Sequence, residues 1–454
     1  MRKSFALTIL VVFAFSMLFA GCTRQSDSFP SLPEEYETSQ TVSSSEEALP
    51  NSGIRSLTVA LPYSSDTVDL LAKMYYAKET GLWNDADTGL SVDLDQLDSI
   101  STNIVINTVG VPFEGADLAS LRSWDSSDNM PDVFLSSDSI SAYESGYSLS
   151  LNKYVYDSSY LDASAILSDA LSYCSVGGML YGLPHYSSAV LIFGNSDYLP
   201  DTGRLASKCS PNELRDYLSL ISEEYEGIIP FASVYQMTPY LGSCFNSDSK
   251  VSYMLRDEYL EDRSSVDDLV KGPIDYIASL YEDGLASDID GEGADPVYSR
   301  TAAMWIGSSS QIRMWSEYYP DKLYLVRIPG SDVSNAGVAY LNCYPLCVAR
   351  TCQDPGFAAD FASFLSYDKD ALMLIYRLED MTGFLPVIRN SEAWDAACEG
   401  DGIWPSIAQT MRQIMDNAVY CPSSYDNKLY ANVNDYFSSY YMADDEFSPE
   451  AVYG

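Results

Sequence analysis

The chain has 454 residues, of which 46% are hydrophobic and 20% are charged, so it can bury a core large enough for about two or three lobes. Its 65 acidic and 25 basic residues give a formal net charge of -40. Because that charge repels phosphate backbones and anionic bilayers, we expect no nucleic-acid partner. We interpret the acidic surface as one suited to solubility outside the cell.

The N-terminus has the pattern of an export signal. Residues 1–4 form a short basic start, and residues 5–20 form an apolar run that is slightly too short to span a membrane. Residues 18–22 (LFAGC) resemble a bacterial lipobox, in which the peptide is cut before the cysteine and that cysteine is acylated. We predict a signal peptide over residues 1–21 and a lipid on Cys22; an uncleaved signal anchor is the alternative.

Residues 22–53 are rich in Ser, Glu, Pro and Thr and have almost no periodic apolar face. They predict a flexible acidic tether between the lipid and the folded part of the chain.

From residue 54, β-rich runs alternate with amphipathic helical patterns, which predicts parallel sheets covered by helices. The opening order is that of a doubly wound domain. It comprises a strand over 56–61, a helix capped by Asp66 that continues to residue 81, a strand over 103–109, a helix over 114–124 and a strand over 130–135. Later elements are helices over 211–224, 266–282, 308–317, 354–365, 369–378, 403–418 and 429–442, and strands over 323–328 and 337–343.

Eight cysteines remain if Cys22 is lipidated. Export permits disulfides, but the pairing stays open, and all the thiols can also stay reduced. Cys343 and Cys347 would lie about 13 Å apart on one face of a strand, too far to bond each other. The spacing of Cys343, Cys347 and Cys352 is not that of a zinc site, so we predict no metal there.

The search for catalytic chemistry finds few candidates. His185 is the only histidine, and its position favours a cleft-lining or hinge role over that of a general base. The sequence contains no Gly-x-Ser-x-Gly elbow and no phosphate-binding Gly-x-x-x-x-Gly-Lys loop. Since 65 acidic residues make some close carboxylate pair inevitable, a surface glycoside hydrolase stays the enzyme alternative. We predict no catalytic residue and no cofactor.

The residues from Asp288 to Ser299 begin like a calcium loop, with acidic side chains at the first, third and fifth positions and a glycine at the sixth. Ser299 stands at the twelfth position, where a bidentate glutamate is wanted. We interpret the segment as an acidic loop, and its calcium binding stays open.

Several segments then match one protein family in the correct order. They are residues 79–81 (ETG), 130–134 (MPDVF), 146–155 (GYSLSLNKYV), 177–184 (GGMLYGLP), 300–305 (RTAAMW) and 382–387 (TGFLPV). Behind a lipobox and a tether, this series resembles the extracellular solute-binding proteins of ABC importers, in particular the maltose-binding-like family 1. The resemblance covers residues 55–420.

The resemblance implies an α/β fold of two discontinuous doubly wound lobes joined by a hinge, that is, a type II periplasmic-binding-protein-like fold. It implies a first lobe of residues 54–184 plus 336–375 and a second lobe of residues 185–335 plus 376–454. The chain would cross between the lobes near residues 184–186 and 335–337. Ligand would sit in the cleft, where strand ends and helix N-termini point, and closure would follow a hinge equilibrium.

The implied function is that of a monomeric receptor, anchored by its lipid to the outer face of the cytoplasmic membrane. It would deliver a small solute to an ABC permease. The 36 Tyr and 6 Trp residues favour a carbohydrate, because flat rings stack on the C–H faces of sugars. A receptor for peptides or another polar solute on the same fold is the alternative; an arginine fixed on a ligand carboxylate would favour it.

We select candidate ligand-binding residues by position, with packing or capping as the alternative role of each. They lie at the ends of the first and third predicted strands, after the crossing, and in two of the matched segments. Gly307 and the serines after it also predict a cap for the next helix. The candidates are Tyr63, Asp66, Ser137, Asp138, Tyr186, Trp305 and Phe384.

Overall fold

A computed structural model describes residues 53–420, apart from residues 84–91, 156–157, 162–165, 167, 177, 201–204, 206–208, 246–262, 331–338, 401 and 415–417. The predicted signal peptide, Cys22, almost all of the tether and the predicted helix over 429–442 lie outside the described residues. The same holds for the predicted return crossing near residues 335–337.

The strands follow one another from the start of the described region to its end. They are β1 (Arg55–Leu61), β2 (Ile104–Gly110), β3 (Val133–Leu135), β4 (Ser175–Val176), β5 (Met179–Leu180), β6 (Leu183–Asn195), β7 (Ile229–Ala232), β8 (Ala286–Ser287), β9 (Ala302–Ser308), β10 (Leu323–Arg327), β11 (Ala339–Val348), β12 (Leu385–Pro386) and β13 (Ala418–Tyr420).

The α-helices lie between these strands, together with 3₁₀ turns at Ser196–Tyr198, Val234–Tyr240 and Ser309–Gln311. They are α1 (Ser65–Glu79), α2 (Leu94–Asp98), α3 (Leu118–Ser126), α4 (Ser139–Glu144), α5 (Asn152–Val155), α6 (Ser168–Tyr173), α7 (Pro211–Glu224), α8 (Gly242–Phe245), α9 (Arg263–Glu282), α10 (Ile312–Tyr318), α11 (Pro355–Tyr367), α12 (Lys369–Leu378), α13 (Ser391–Ala397) and α14 (Trp404–Ile414).

Several helices begin at side-chain caps that the sequence provides. Ser210 and Glu213 form a capping box at the start of α7, which satisfies two backbone donors reciprocally. At α1 the predicted cap is wrong: Ser64, in extended backbone, accepts the hydrogen bond from the amide of Thr67, and Asp66 lies inside the first turn. A carboxylate there is still favourable, because it faces the positive end of the helix dipole.

The main sheet has the strand order β2-β1-β3-β11-β6-β9-β7-β8, with β10 and β12 paired to β6 and β13 paired to β11. The pairs β1–β2, β1–β3, β7–β8 and β7–β9 are parallel, as the alternation of strands and helices predicts. The pairs that β6 makes with β9, β10, β11 and β12 are antiparallel.

Strand β6 connects the two ends of this sheet. All of its residues are buried, and residues 183–189 pair with β11 whereas residues 190–195 pair with β9 and β10. A continuous buried run with paired neighbours on both edges is typical of a strand that is covered on both faces of its sheet. The predicted crossing near residues 184–186 thus falls at the beginning of this strand.

Buried apolar side chains form more than one cluster. One includes side chains from residues 190–286 together with parts of β9, β10 and β11. A larger cluster joins the helices α1, α11 and α12 to β1 and to the segment from Met381 to Met411. How the chain divides into lobes stays a prediction.

None of the helices in the described part of the chain is long and apolar enough to cross a bilayer.

Candidate functional site

A cavity of about 230 Å³ opens where β6, β9, β11 and the 3₁₀ turns 234–240 and 309–311 meet. Its walls come from the middle of β6, the C-terminal end of β9, both 3₁₀ turns and β11. The lining residues are Val190, Gln236, Tyr240, Ile306, Gly307, Ser308, Gln311 and Asn342. The cavity lies at the carboxyl ends of the parallel strands β7 and β9, which is where open α/β sheets bind ligands.

The chemistry of this lining is neutral and polar. Gln236, Gln311 and Asn342 contribute carboxamides, Tyr240 a phenol and Ser308 a hydroxyl, whereas Val190 and Ile306 contribute apolar surface. Neither a carboxylate nor a cationic side chain belongs to the lining, so the wall offers hydrogen-bond donors and acceptors without a fixed charge.

The hydroxyl of Ser308 is held by its neighbours. Its Oγ donates to Ser188 Oγ at 2.8 Å, and Ser188 Oγ lies 2.9 Å from the hydroxyl of Tyr344. The amide of Ser308 donates to Gln311 Oε1 at 3.1 Å, which completes a capping box at the 3₁₀ turn 309–311. The predicted cap after β9 is confirmed. Ser308 and Gln311 therefore present their polar groups to the cavity in a fixed geometry.

An aromatic cluster adjoins this network and contains three of the candidate residues. The ring of Tyr186 lies 5.1 Å from that of Phe384 and 5.5 Å from that of Tyr344, centroid to centroid. Phe384 in turn stacks on Phe113 at 5.1 Å, and Phe113 lies 6.5 Å from Tyr63. Tyr63, Tyr186 and Phe384 thus come together, but all three are buried and only Phe113 is half-buried.

His185 lies inside the same cluster with both ring nitrogens occupied. The Tyr63 hydroxyl is 2.5 Å from its Nε2, and the Ser366 hydroxyl is 3.2 Å from its Nδ1. Complete burial lowers the pKa of His185 to about 3, so the imidazole is neutral at physiological pH. Through these contacts His185, on β6, connects the segment after β1 to α11, and it does not belong to the cavity lining.

Trp305 lies in a different cluster, away from the cavity lining. Its ring is 2% exposed and stacks on Phe193 at 5.9 Å, with Trp315 at 5.4 Å and Tyr319 at 5.0 Å. Its indole nitrogen has no hydrogen-bond partner. This geometry favours the packing role over ligand contact.

The remaining candidates act locally. Asp138 caps α4 by accepting hydrogen bonds from the amides of Ile140 and Ser141, and Ser137 donates its hydroxyl to the carbonyl of Ala116. Asp66 is exposed in the first turn of α1. The structure does not bring these three to the cavity lining, and their contact with a ligand stays a prediction.

The cavity residues Gln236, Tyr240, Gln311 and Asn342 were not predicted. They lie in a short 3₁₀ turn, a capping box and a buried strand, none of which has a distinctive sequence pattern. Their position in the sequence is the one indication for two of the cavity residues, because Ser308 and Gln311 come shortly after the matched segment 300–305.

The carboxylates of Asp288 and Asp290, in the acidic loop after β8, bond to different partners. The carboxylate of Asp290 accepts from the amides of Glu292 and Ala294, whereas that of Asp288 accepts from the hydroxyl of Tyr281. Within the described ranges no group of three or more His, Cys, Asp or Glu side chains is arranged to hold a metal ion. Among the residues that the structure describes, Cys343, Cys347 and Cys352 form no disulfide.

No protein-family model matches the sequence, and no curated protein sequence matches it significantly. Solved structures do match. The sugar-binding protein MalE from Xanthomonas citri superposes with a TM-score of 0.61 at 14% identity, covering 87% of this chain and 94% of that one. An ABC substrate-binding protein from Listeria monocytogenes, in complex with cycloalternan, gives 0.58 at 16% identity over 88% and 96%.

The GacH receptor of Streptomyces glaucescens, solved unliganded and with acarbose, gives a TM-score of 0.57 at 16% identity over 88% of this chain and 96% of that one. These likenesses span nearly the whole of each relative, so they apply to the complete described fold. The predicted fold class is confirmed: the chain has the α/β periplasmic-binding-protein fold that ABC substrate-binding proteins such as MalE share.

Proposed function

We propose that this protein is a solute-binding receptor that captures a neutral carbohydrate and delivers it to an ABC permease. The observation that carries the proposal is the uncharged lining of the cavity at the carboxyl ends of β7 and β9. Sugars present many hydroxyls and no charge, so three carboxamides and two hydroxyl-bearing side chains can pair with them without a desolvated ion.

The same lining argues against the peptide alternative. A receptor for peptides or amino acids needs a cation or a helix N-terminus on the ligand carboxylate, and no arginine or lysine belongs to the cavity lining. The net charge of -40 further disfavours an anionic ligand by long-range repulsion. A glycoside hydrolase needs two carboxyl groups beside the substrate, and the lining has none.

The similar structures support the ligand class. Among them are an extracellular solute-binding protein from Staphylococcus aureus in complex with maltose and a protein with mannobiose bound. Of the aromatic cluster, the half-buried ring of Phe113 would be the part accessible for stacking on a sugar.

The location of the receptor follows from its N-terminus. Lipid on Cys22 would anchor the protein to the outer face of the cytoplasmic membrane, and residues 22–53 would let it turn toward the permease. We propose a monomer without cofactor or turnover. Mass spectrometry of the native protein should show an acylated Cys22; an intact Met1 N-terminus would contradict the anchor.

A thermal-shift screen of the tether-free protein tests the ligand class. The panel should contain maltose, maltotriose, mannobiose, dipeptides and polyamines. A solute present at 100 times its dissociation constant stabilises the folded state by about 2.7 kcal/mol. We expect stabilisation by one or more sugars and by no peptide. Stabilisation by peptides alone would establish the alternative receptor, and chromatographic detection of a cleaved sugar would establish the hydrolase.

Variants of the lining connect the binding to the cavity. Asn342→Ala and Gln236→Ala each remove a carboxamide whose net hydrogen-bond contribution is about 0.5 to 1.5 kcal/mol, so sugar affinity should fall about two- to tenfold. Gln353→Ala is the matched control, because that exposed side chain bonds only the carbonyl of Thr351. Unchanged affinity in both lining variants would place the sugar elsewhere.

A further inference from the structure

Asp288 is the first residue of the acidic loop, and the proposed function does not use it. It directly follows β8, just as Ser233 directly follows β7. Because these strands are parallel, with Ala232 opposite Ser287, their carboxyl ends bring Ser233 and Asp288 side by side. The next strand, β9, ends at the cavity, so this edge of the sheet adjoins the cavity wall.

The chain turns sharply at Ser233. This residue adopts the left-handed conformation, with φ 53° and ψ 39°, which a residue with a Cβ atom rarely adopts without support. Its side chain makes no capping hydrogen bond to the 3₁₀ turn 234–240 that follows. The backbone amide of Ser233 interacts electrostatically with the carboxylate of Asp288 and favours its ionised form.

The same carboxylate reaches the 3₁₀ turn by a second route. The hydroxyl of Tyr281, on α9, donates to Asp288 Oδ1 at 2.8 Å. The oxygen of that hydroxyl accepts from the amide of Tyr235 at 3.4 Å. Through the Tyr281 hydroxyl, Asp288 therefore acts on the Tyr235 amide at the start of the turn that carries Gln236 and Tyr240 to the cavity.

We propose that Asp288 positions the cavity wall formed by residues 234–240, so that the geometry of Gln236 and Tyr240 depends on the ionisation of this one carboxylate. The ionised carboxylate accepts strongly from the Tyr281 hydroxyl and attracts the Ser233 amide. The protonated acid accepts more weakly, because hydrogen bonds to a charged group are roughly twice as strong as those to a neutral one.

The surroundings of Asp288 determine the pH range in which its carboxylate is protonated. Burial raises the pKa of Asp288 to about 6, against the opposing effects of the hydrogen bond from Tyr281 and of the nearby Ser233 amide. The negative charge of Asp295 adds to the rise, and Tyr235 is the other titratable group near the carboxylate. Within the described part of the chain no lysine or arginine forms an ion pair with Asp288.

Protonation of Asp288 should change global stability and the local order of residues 233–241 in opposite directions, which distinguishes this role from a purely structural one. Since the folded state binds this proton more tightly than the unfolded chain, the contribution of Asp288 to global stability rises as pH falls through about 6 toward 4. The order of residues 233–241, in contrast, should decrease over the same range. An Asp288→Asn variant should therefore lose local order at pH 7.5 without loss of global stability.

Hydrogen-exchange mass spectrometry of the peptide 231–241 tests this, after correction for intrinsic rates at pH 5.0, 6.0 and 7.5. Wild-type exchange should be about five- to tenfold faster at pH 5.0 than at pH 7.5. Asp288→Asn should exchange fast at every pH, with a urea midpoint no lower than that of wild type. Asp290→Asn is the matched control and should behave like wild type, because its carboxylate bonds only its own loop.

Constant protection of wild type from pH 7.5 to 5.0, or retained protection in Asp288→Asn, would overturn the proposal. So would a fall in the global stability of Asp288→Asn that accounts for its faster exchange. These readouts need no ligand, so they are independent of the proposed receptor function.

A second arm, which rests on that function, uses maltose as the probe. Its apparent dissociation constant in wild type should rise about three- to tenfold from pH 7.5 to 5.0 and should not depend on pH in Asp288→Asn. Absence of maltose binding at both pH values would count against the maltose assignment alone, and the exchange arm would still decide the role of Asp288.

Discussion

Replacing Trp305 with alanine should destabilise the fold while leaving ligand affinity unchanged. The indole is 2% exposed and contacts three aromatic neighbours, Phe193, Trp315 and Tyr319, at centroid distances of 5.0 to 5.9 Å. Removing a buried tryptophan costs about 3 to 5 kcal/mol of unfolding free energy, from lost transfer energy and from the cavity left behind.

Trp305→Phe is the matched control. It keeps an aromatic ring in the stack and removes an indole N–H that has no hydrogen-bond partner, which offsets about 1 to 3 kcal/mol of the lost packing. We therefore expect Trp305→Phe to be less destabilising than Trp305→Ala by about 2 kcal/mol or more. Urea unfolding of the ligand-free proteins measures both values, and calorimetry at low temperature measures sugar affinity. An unchanged urea midpoint together with lost affinity would refute the packing assignment and restore Trp305 as a cleft residue.

Gly383→Ala should destabilise the fold by about 2 to 4 kcal/mol, because the added Cβ would lie 2.2 Å from the carbonyl oxygen of Ser309 and because residue 383 has a φ of +96°. An unchanged urea midpoint would contradict this. Lys78→Met should cost about 3 to 5 kcal/mol, since it leaves the 4% exposed carboxylate of Asp370 without its 2.7 Å ion pair, and a loss under 1 kcal/mol would show the pair to be dispensable. Because the pKa of His185 is about 3 in the folded state and 6.5 unfolded, only the unfolded state binds the proton between these values. The contribution of His185 to stability should therefore fall as pH falls below 6.5, by up to about 1.4 kcal/mol per pH unit, and the difference between wild type and His185→Gln in pH-dependent urea titrations measures it.

Much of the fold could be predicted from residue patterns. The helix over 211–224 and the helix over 369–378 have the predicted bounds, because a capping residue and an amphipathic period mark each of them. The strand predicted over 130–135 is shorter, because the ladder with β1 and β11 covers only Val133–Leu135. The residues at which such a strand begins and ends depend on partner strands that can lie far away in the sequence.

The candidate site was less predictable, for a physical reason. Aromatic side chains at strand ends serve packing and ligand contact equally well, and burial alone distinguishes them. Tyr63 and Tyr186 are buried and bond His185 and the carbonyl of Phe113, respectively. The cavity is lined instead by amide side chains such as Gln236 and Asn342, whose proximity depends on the pairing of β6, β9 and β11.

The shared strand β6 also limits how this protein can be divided for engineering. A break between residues 189 and 190 would leave the N-terminal fragment with residues 183–189 but without β11, and the C-terminal fragment with β11 but without residues 183–189. Each fragment would expose an unpaired edge of buried, apolar strand, which promotes aggregation. Split reporters and separately expressed halves are therefore unsuited to this chain, and fusions belong at surface loops outside the strand.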